Sequence, residues 1–292
     1  MLGKVMPGKT KVCGIIGDPI EHTMSPLMHN AAFDRMGMDY LYVPFKVGKE
    51  DLGKAIEGMK ALNMRGLNVT IPHKVAVIPF LDKLDPLAEK IGAVNTIVNE
   101  DGVLTGYNTD ATGFLQALLE RGTEPEGKNI VILGAGGASR AISFVLAERD
   151  AHLVILNRQL ELDWAEELAH RLSQTFNQEV EALKLDEENL AMTLDRADIL
   201  VNATSVGMSP NISETPVPAR LLKPGLVVFD IVYNPIKTRL LREAEAAGAK
   251  TINGVDMLVW QGASSVEMWT GLREPIELMR EEAIKGLQTN EN

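Results

Sequence analysis

A lysine, an aspartate and a group of hydroxyls and amides gather at three places in the first third of the chain. Residues 68–74 read NVTIPHK, which puts Asn68, Thr70 and Lys74 at or just past the end of an apolar run. Residues 22–26 read HTMSP, with Thr23 and Ser25 between a strand pattern and a helix pattern. Asn95, and then Asn108-Thr109-Asp110, again fall at strand ends. Ser, Thr and Asn donate and accept hydrogen bonds without net charge, which matches sugar-like hydroxyls. A lysine tuned by burial and oriented by an aspartate can pass a proton to or from an oxygen. The chemistry this predicts is proton transfer on a small, highly hydroxylated ligand. Plainer roles stay open for each residue: helix caps for Thr23, Ser25 and Asp110, turn residues for Asn95 and Asn108, a solvated lysine for Lys74.

A second cluster has a different use. Residues 128–140, KNIVILGAGGASR, run from a short apolar strand into a glycine turn and then a helix pattern, the arrangement of a dinucleotide site. Gly134 permits the tight turn and Gly136 lets the backbone approach a pyrophosphate. Ser139 stands where a third small residue allows close helix–strand packing. The next apolar run, 151–156, ends in Asn157-Arg158. An NAD site has an acidic residue near that place for the ribose 2′-hydroxyl. Asn157 carries no charge to repel a phosphate, and Arg158 can pair with one. The expected cofactor is therefore NADP, with NAD left open because Glu161 and Asp163 lie close behind.

Composition narrows the remaining classes. The chain has 292 residues, a length that suggests two domains, and 45% of them are hydrophobic, enough for real cores. Its net charge is −11 and it has no arginine-rich run, which argues against a nucleic-acid partner. The single cysteine, Cys13, cannot form an internal disulfide and reads as a buried small residue. The five histidines stand at no familiar metal spacing, so no metal is expected. No signal peptide or membrane span is visible, and a cytoplasmic location is expected.

The elements that must position these residues alternate between strand and helix. In the first third the patterns predict strands at 11–17, 40–45 and 67–71, helices at 25–36 and 51–62, and a hairpin from 93–99 and 103–107 turning at Glu100-Asp101-Gly102. Ser25 is predicted as the N-cap of its helix, with Pro26 in the first turn. Strands at 130–133, 152–156, 199–202 and 226–231, and a further candidate at 179–185, alternate with helices at 138–148, 162–174 and 239–247. That alternation implies a mostly parallel sheet with helices on both faces. Helices at 112–121, 256–269 and 275–287 complete the pattern. Two α/β units in one chain predict a cleft between them where a small ligand binds.

Eight separated segments then carry a resemblance: PIEHTMSPLMHNAAF, GLNVTIPHK, IGAVNTI, GYNTDATGF, ILGAGGASRA, NATSVGM, DIVYNP and NGVDMLVWQGA. In this order and over nearly the whole chain, the sequence resembles the shikimate and quinate dehydrogenases. The resemblance implies an N-terminal α/β substrate domain (residues 1–110), a Rossmann-type doubly wound cofactor domain (111–250), and C-terminal helices (251–292) packing back on the first. It implies reversible reduction of 3-dehydroshikimate by NADPH to shikimate, with Lys74 and Asp110 as the catalytic pair. Thr23 and Ser25 would hold the substrate carboxylate, and Thr70, Asn95, Tyr233 and Gln261 would make the other substrate contacts. Gly134, Ala135, Gly136, Gly137 and Ala138, with Asn157 and Arg158, match the cofactor loops. Ile231 and Gly254 match the nicotinamide side. The expected partners are a small-molecule substrate and at most a second copy of the chain in a homodimer. Two alternatives remain: a quinate or dual quinate/shikimate dehydrogenase using NAD or NADP, and a non-catalytic ligand sensor.

Overall fold

Segment KVCGIIG forms β1 (Lys11–Gly17), and its last five residues are all buried, as expected of a strand covered on both faces. In a computed structural model, described over residues 8–273 and 275–290, the chain forms two compact units. Unit one contains the residues up to Thr109 together with Gln261–Asn290, and unit two contains Asp110–Trp260.

In unit one, β1 is followed by α1 (Ser25–Arg35), β2 (Tyr40–Lys46), α2 (Leu52–Ala61), β3 (Gly66–Val69), β4 (Lys83–Leu84), α3 (Pro86–Ile91), β5 (Thr96–Glu100) and β6 (Val103–Tyr107). The sheet order is β2-β1-β3-β5-β6-β4. β1 pairs in parallel with both β2 and β3, whereas β5 runs antiparallel to β3 and β6. The predicted hairpin is present, and Asp101 and Gly102 both take positive φ at its turn. The short β4 and α3 carry no clear pattern in sequence. Two residues are too few to show alternation, and α3 spans six residues, held at its start by the Asp85 side chain accepting from Leu87 N.

In unit two, α4 (Asp110–Glu120), β7 (Asn129–Leu133), α5 (Gly137–Ala147), β8 (His152–Asn157), α6 (Leu162–Phe176), β9 (Val180–Lys184), α7 (Glu187–Leu194), β10 (Ile199–Asn202), β11 (Val227–Asp230), α8 (Arg239–Ala246) and β12 (Lys250–Ile252) follow in order. The sheet order is β12-β11-β10-β7-β8-β9, with every neighbouring pair parallel. The first strand, β7, therefore lies at the centre, and the strand order reverses between it and β10. This is the doubly wound arrangement expected from the alternating pattern. Two further helices end the chain, α9 (Gly254–Thr270) and α10 (Ile276–Asn290), and the division between units falls inside α9. Among the described residues no helix is long and apolar enough to cross a membrane.

One large side chain seats the end of α9 on the sheet. Trp269 is buried and its Nε1 donates to the Ile97 carbonyl at 3.1 Å. Its indole ring occupies the space a side chain on Gly66 would need. Arg65 then bonds the carbonyl of Trp269 at 2.8 Å and that of Asn99 at 2.6 Å, tying the helix end to β5. We expect Gly66→Ala to cost about 3 kcal/mol, since an added methyl in a packed site forces side chains and backbone to shift. Chemical denaturation checks this, and an unchanged midpoint would mean that Trp269 does not rest on β3.

Candidate active site

The polar residues of unit one meet at a buried hub. Asn68, on the fully buried strand β3, accepts from the Tyr42 hydroxyl at 2.7 Å through Oδ1. Its Nδ2 lies within hydrogen-bond distance of Ser265 Oγ (2.9 Å), Thr96 Oγ1 (3.0 Å) and the Asn95 carbonyl (3.3 Å). Asn95 continues the network. Its Oδ1 accepts from Thr109 N at 2.7 Å, and its Nδ2 donates to Thr109 Oγ1 at 2.9 Å and to Gln261 Oε1 at 3.4 Å. Five elements or strand ends thus hold one another through neutral groups. A buried network of this kind is rigid when its members are satisfied.

Lys74 follows directly from this hub. Its carbonyl accepts from Val94 N at 2.8 Å, one residue before Asn95. The preceding His73 is buried, and its Nε2 donates to the Val47 carbonyl at 2.7 Å. Lys74 is therefore held by its backbone on one side and by its neighbour's ring on the other, with its own side chain half-buried. Thr70 is fixed through its backbone, donating to Ile16 O at 3.0 Å and accepting from His73 N at 2.9 Å. Gly17 is required beside it, because a Cβ there would overlap the Thr70 methyl.

Thr23 and Ser25 lie at the start of α1, but Ser25 does not cap it. The N-cap is Met24, whose carbonyl accepts from Leu27 N and Met28 N, and no side chain caps the helix. Ser25 is instead the first helical residue, with Pro26 behind it, and its own N–H donates to Thr23 Oγ1 at 3.3 Å. Below them His29 Nδ1 donates to the Ser25 carbonyl at 2.8 Å, and its ring stacks on Tyr42 at 4.1 Å. Burial lowers the His29 pKa to about 4, so the imidazole is neutral.

In unit two, Asp110 is the buried first residue of α4, where a carboxylate is favoured by the helix dipole. At the switch point Gly134 has φ +99°, and Ser139 Oγ donates to its carbonyl at 2.6 Å, closing the glycine turn. The N-cap of α5 is Gly136, in extended backbone with no side-chain cap, and a Cβ there would meet nothing. Gly136 is exposed and Gly137 and Ala138 are half-buried, while Gly134 and Ala135 are buried. An uncapped helix start with an open glycine fits a pyrophosphate. Asn157 ends β8, and its Nδ2 donates to the Glu161 carbonyl at 2.6 Å, so the amide serves the turn. Arg158 is largely exposed and paired with the Glu161 carboxylate. Ile231 and Gly254 come together: a side chain on Gly254 would land on the Ile231 carbonyl oxygen. Tyr233 is half-buried just past β11, in the same segment as Ile231.

Tyr42, Ser265 and Asp230 were not among the residues predicted for the site. The signal for the first two is a polar group on an otherwise buried face, which spacing alone cannot separate from a surface position. Asp230 is fully buried at the end of β11. It accepts from Asn202 Nδ2 at 2.9 Å, Val232 N at 3.1 Å and Thr238 Oγ1 at 2.6 Å. Asn202 in turn accepts from the backbone and hydroxyl of Thr204, which packs against Gly134. One carboxylate thus braces the loop beside the glycine turn and the segment that carries Ile231 and Tyr233.

Three domain families match the chain in order. They are the shikimate dehydrogenase substrate binding domain at residues 15–97, shikimate / quinate 5-dehydrogenase at 117–238, and the shikimate 5′-dehydrogenase C-terminal domain at 254–284. A shikimate dehydrogenase (NADP(+)) of Dehalococcoides mccartyi is 49% identical over 278 residues, which is 95% of this chain and 96% of that protein. The chain belongs to the shikimate dehydrogenase family. A crystal structure of a family member in complex with NADP+ superposes with a TM-score of 0.91 at 46% identity, covering 98% of this chain and 99% of the other. The Listeria monocytogenes shikimate 5-dehydrogenase, solved with shikimate and NAD, gives 0.87 at 42% identity over 95% and 98% of the two chains.

Burial dominates the Asp230 carboxyl and pushes it up to about 6, against the opposing pull of its bonds from Thr238, Val232 and Asn202. The folded protein thus holds this proton more tightly than the unfolded chain does. The resulting stability is present below the ordinary value of 3.8 and is lost as pH rises through about 6. His29 acts in the opposite sense, since its lowered value removes stability as pH falls from 6.5 toward 4. The comparison with Asp230→Asn isolates the first effect, because an asparagine Oδ1 can accept from Asn202 and Val232. Relative to the parent, that variant should gain about 2 kcal/mol between pH 4 and pH 6. A constant difference across that range, measured by urea unfolding, would mean that Asp230 titrates as a solvated group.

Proposed function

We propose that the protein catalyses the reversible, NADPH-dependent reduction of 3-dehydroshikimate to shikimate, a step of aromatic biosynthesis. What carries this is the hub of Asn68, Asn95, Thr96, Thr109 and Ser265, all buried and bonded to one another. With Gln261 joined to it and Lys74 fixed through Val94, it holds neutral donors and one amine ready for a hydroxylated ring. Unit one takes the substrate and unit two the dinucleotide.

A bound nicotinamide would supply the hydride to ring C3. Lys74 donates the proton to the C3 oxygen and offsets the charge growing on it, and Asp110 keeps the amine oriented and shares the proton. Thr23 and Ser25 hold the substrate carboxylate through their hydroxyls, which is consistent with neither side chain capping α1. Thr70, Asn95, Tyr233 and Gln261 bind the ring hydroxyls. Gly134, Ala135, Gly136, Gly137 and Ala138 cradle the pyrophosphate, Asn157 and Arg158 take the 2′-phosphorylated ribose, and Ile231 and Gly254 form the wall behind the nicotinamide. A cytoplasmic setting suits a chain whose one cysteine is a buried thiol that burial pushes well up.

The deciding assay follows reduced-nicotinamide absorbance with shikimate and quinate, each crossed with NADP and NAD. The largest specificity constant should belong to shikimate with NADP, and no turnover in any combination would leave a ligand-binding protein in its place. Lys74→Ala should lower kcat by at least roughly 100-fold with little change in KM. An unimpaired kcat would remove Lys74 from the proton step. Thr23→Ala should instead raise KM, because a carboxylate contact is made equally in the ground and transition states. A fall confined to kcat would move Thr23 out of the carboxylate site.

A further inference from the structure

The end of β8 carries a feature that a simple NADP site does not need. Arg158 is bound on both of its near nitrogens by one carboxylate: Nε donates to Glu161 Oε2 at 2.7 Å and Nη2 to Glu161 Oε1 at 2.5 Å. The fork is matched to the carboxylate as it would be to a phosphate. The turn also fixes the backbone of Glu161, since its N–H donates to the Arg158 carbonyl at 3.0 Å and its carbonyl accepts from Asn157. Glu161 is half-buried while Arg158 is 68% exposed, so the acid is the better anchored partner and the guanidinium the more movable one. On the neighbouring strand Lys184 is paired in register with Asn157, and it lies 3.4 Å from Asp186.

We propose that Glu161 sets the cofactor preference, by occupying the phosphate-binding edge of Arg158 and offering its own carboxylate to an unphosphorylated ribose. The proposal rests on the dinucleotide reading of this site given above. A 2′-phosphate brings close to two negative charges to a place where a carboxylate already sits. It must either displace Glu161 from Arg158 or share the guanidinium with it at the cost of like-charge repulsion. A ribose 2′-hydroxyl meets neither obstacle and can donate to the Glu161 oxygens. The enzyme therefore binds NAD as well as NADP, with a smaller ratio between them than Arg158 alone would produce. The pair holds each partner in its charged form: the hydrogen bond from Arg158 draws the Glu161 carboxyl below its ordinary range, and Glu161 raises the Arg158 guanidinium.

The test reads binding rather than turnover. Dissociation constants of the full-length protein for NADP+, NAD+, 2′,5′-ADP and 5′-AMP are measured by calorimetry for the parent, Glu161→Gln, Arg158→Ala and the double variant. Glu161→Gln keeps the backbone bonds of the turn and removes only the charge. It should tighten NADP+ and 2′,5′-ADP at least roughly tenfold while NAD+ and 5′-AMP stay level or weaken, and the gain should shrink as salt is raised. In the double variant the gain should be much smaller than in the parent background, because most of it acts through Arg158. Equal shifts for phosphorylated and unphosphorylated ligands, or a gain undiminished by Arg158→Ala, would overturn the proposal. Failure of the parent and every variant to bind any of the four ligands would overturn the dinucleotide reading itself.

Discussion

Burying an amide in the middle of a sheet is costly unless its polar atoms find partners, and that constraint organises unit one. Asn68 is 4% exposed on a strand whose four residues are all buried. Its partners come from β2 (Tyr42), β5 (Thr96), the residue before β5 (Asn95) and α9 (Ser265). Losing these partners together would leave buried donors and acceptors unpaired, at a cost of about 1–3 kcal/mol each. The residues that flank or share those elements, Thr70, Lys74, Asn95 and Gln261, therefore inherit fixed positions. The Trp269 ring on Gly66 and the Arg65 bonds to the end of α9 keep Ser265 in register with Asn68.

Unit two solves a different problem with its topology. A parallel sheet gathers the carboxyl ends of all its strands on one side, and reversal of strand order at β7 and β10 opens a crevice there. Gly134 follows the first of those strands and Asn202 ends the second. The loop after β10 lies close to the glycine turn through Ala203 and Thr204, so a Cβ at Gly134 would be tight as well as strained by the positive φ. Asp230 then braces this loop from the neighbouring strand at the expense of an unfavourably buried charge.

Strongly patterned parts of the chain were legible before any coordinates. β1 and β10 have the predicted bounds, and in unit two β7, α5, β8, α6, β10, β11 and α8 stand in the order the alternation predicts. β4, α3, α7 and β12 were not legible: two are strands of two or three residues, and two are helices of six and eight whose apolar positions are too few to show a period. Ser25 was misplaced as a cap because the Ser-Pro pair gives the same signal whether serine sits before the helix or in its first turn. The glycine turn was readable because glycine has a conformational use, and Gly134 has the positive φ that use demands. Tyr42 and Ser265 carry no such mark, since their role exists only when strands distant in sequence are brought together.

The two candidate sites rest on opposite electrostatic strategies. The unit-one hub is built from neutral groups in a buried interior, where each bond is strong and little affected by salt. It can be rigid because none of its members pays the cost of burying a charge. The Arg158–Glu161 pair is charged and open to solvent on the arginine side, so it is weak, screened and easily exchanged for another anion. A ring whose hydroxyls must be held in one orientation for proton transfer needs the first kind of site. A dinucleotide that must be released after each turnover is served by the second. Substitutions in the hub should therefore act on folding and orientation together, whereas changes at the edge of β8, on the reading proposed for it, should act on which nucleotide is held and leave the rest of the protein as it is.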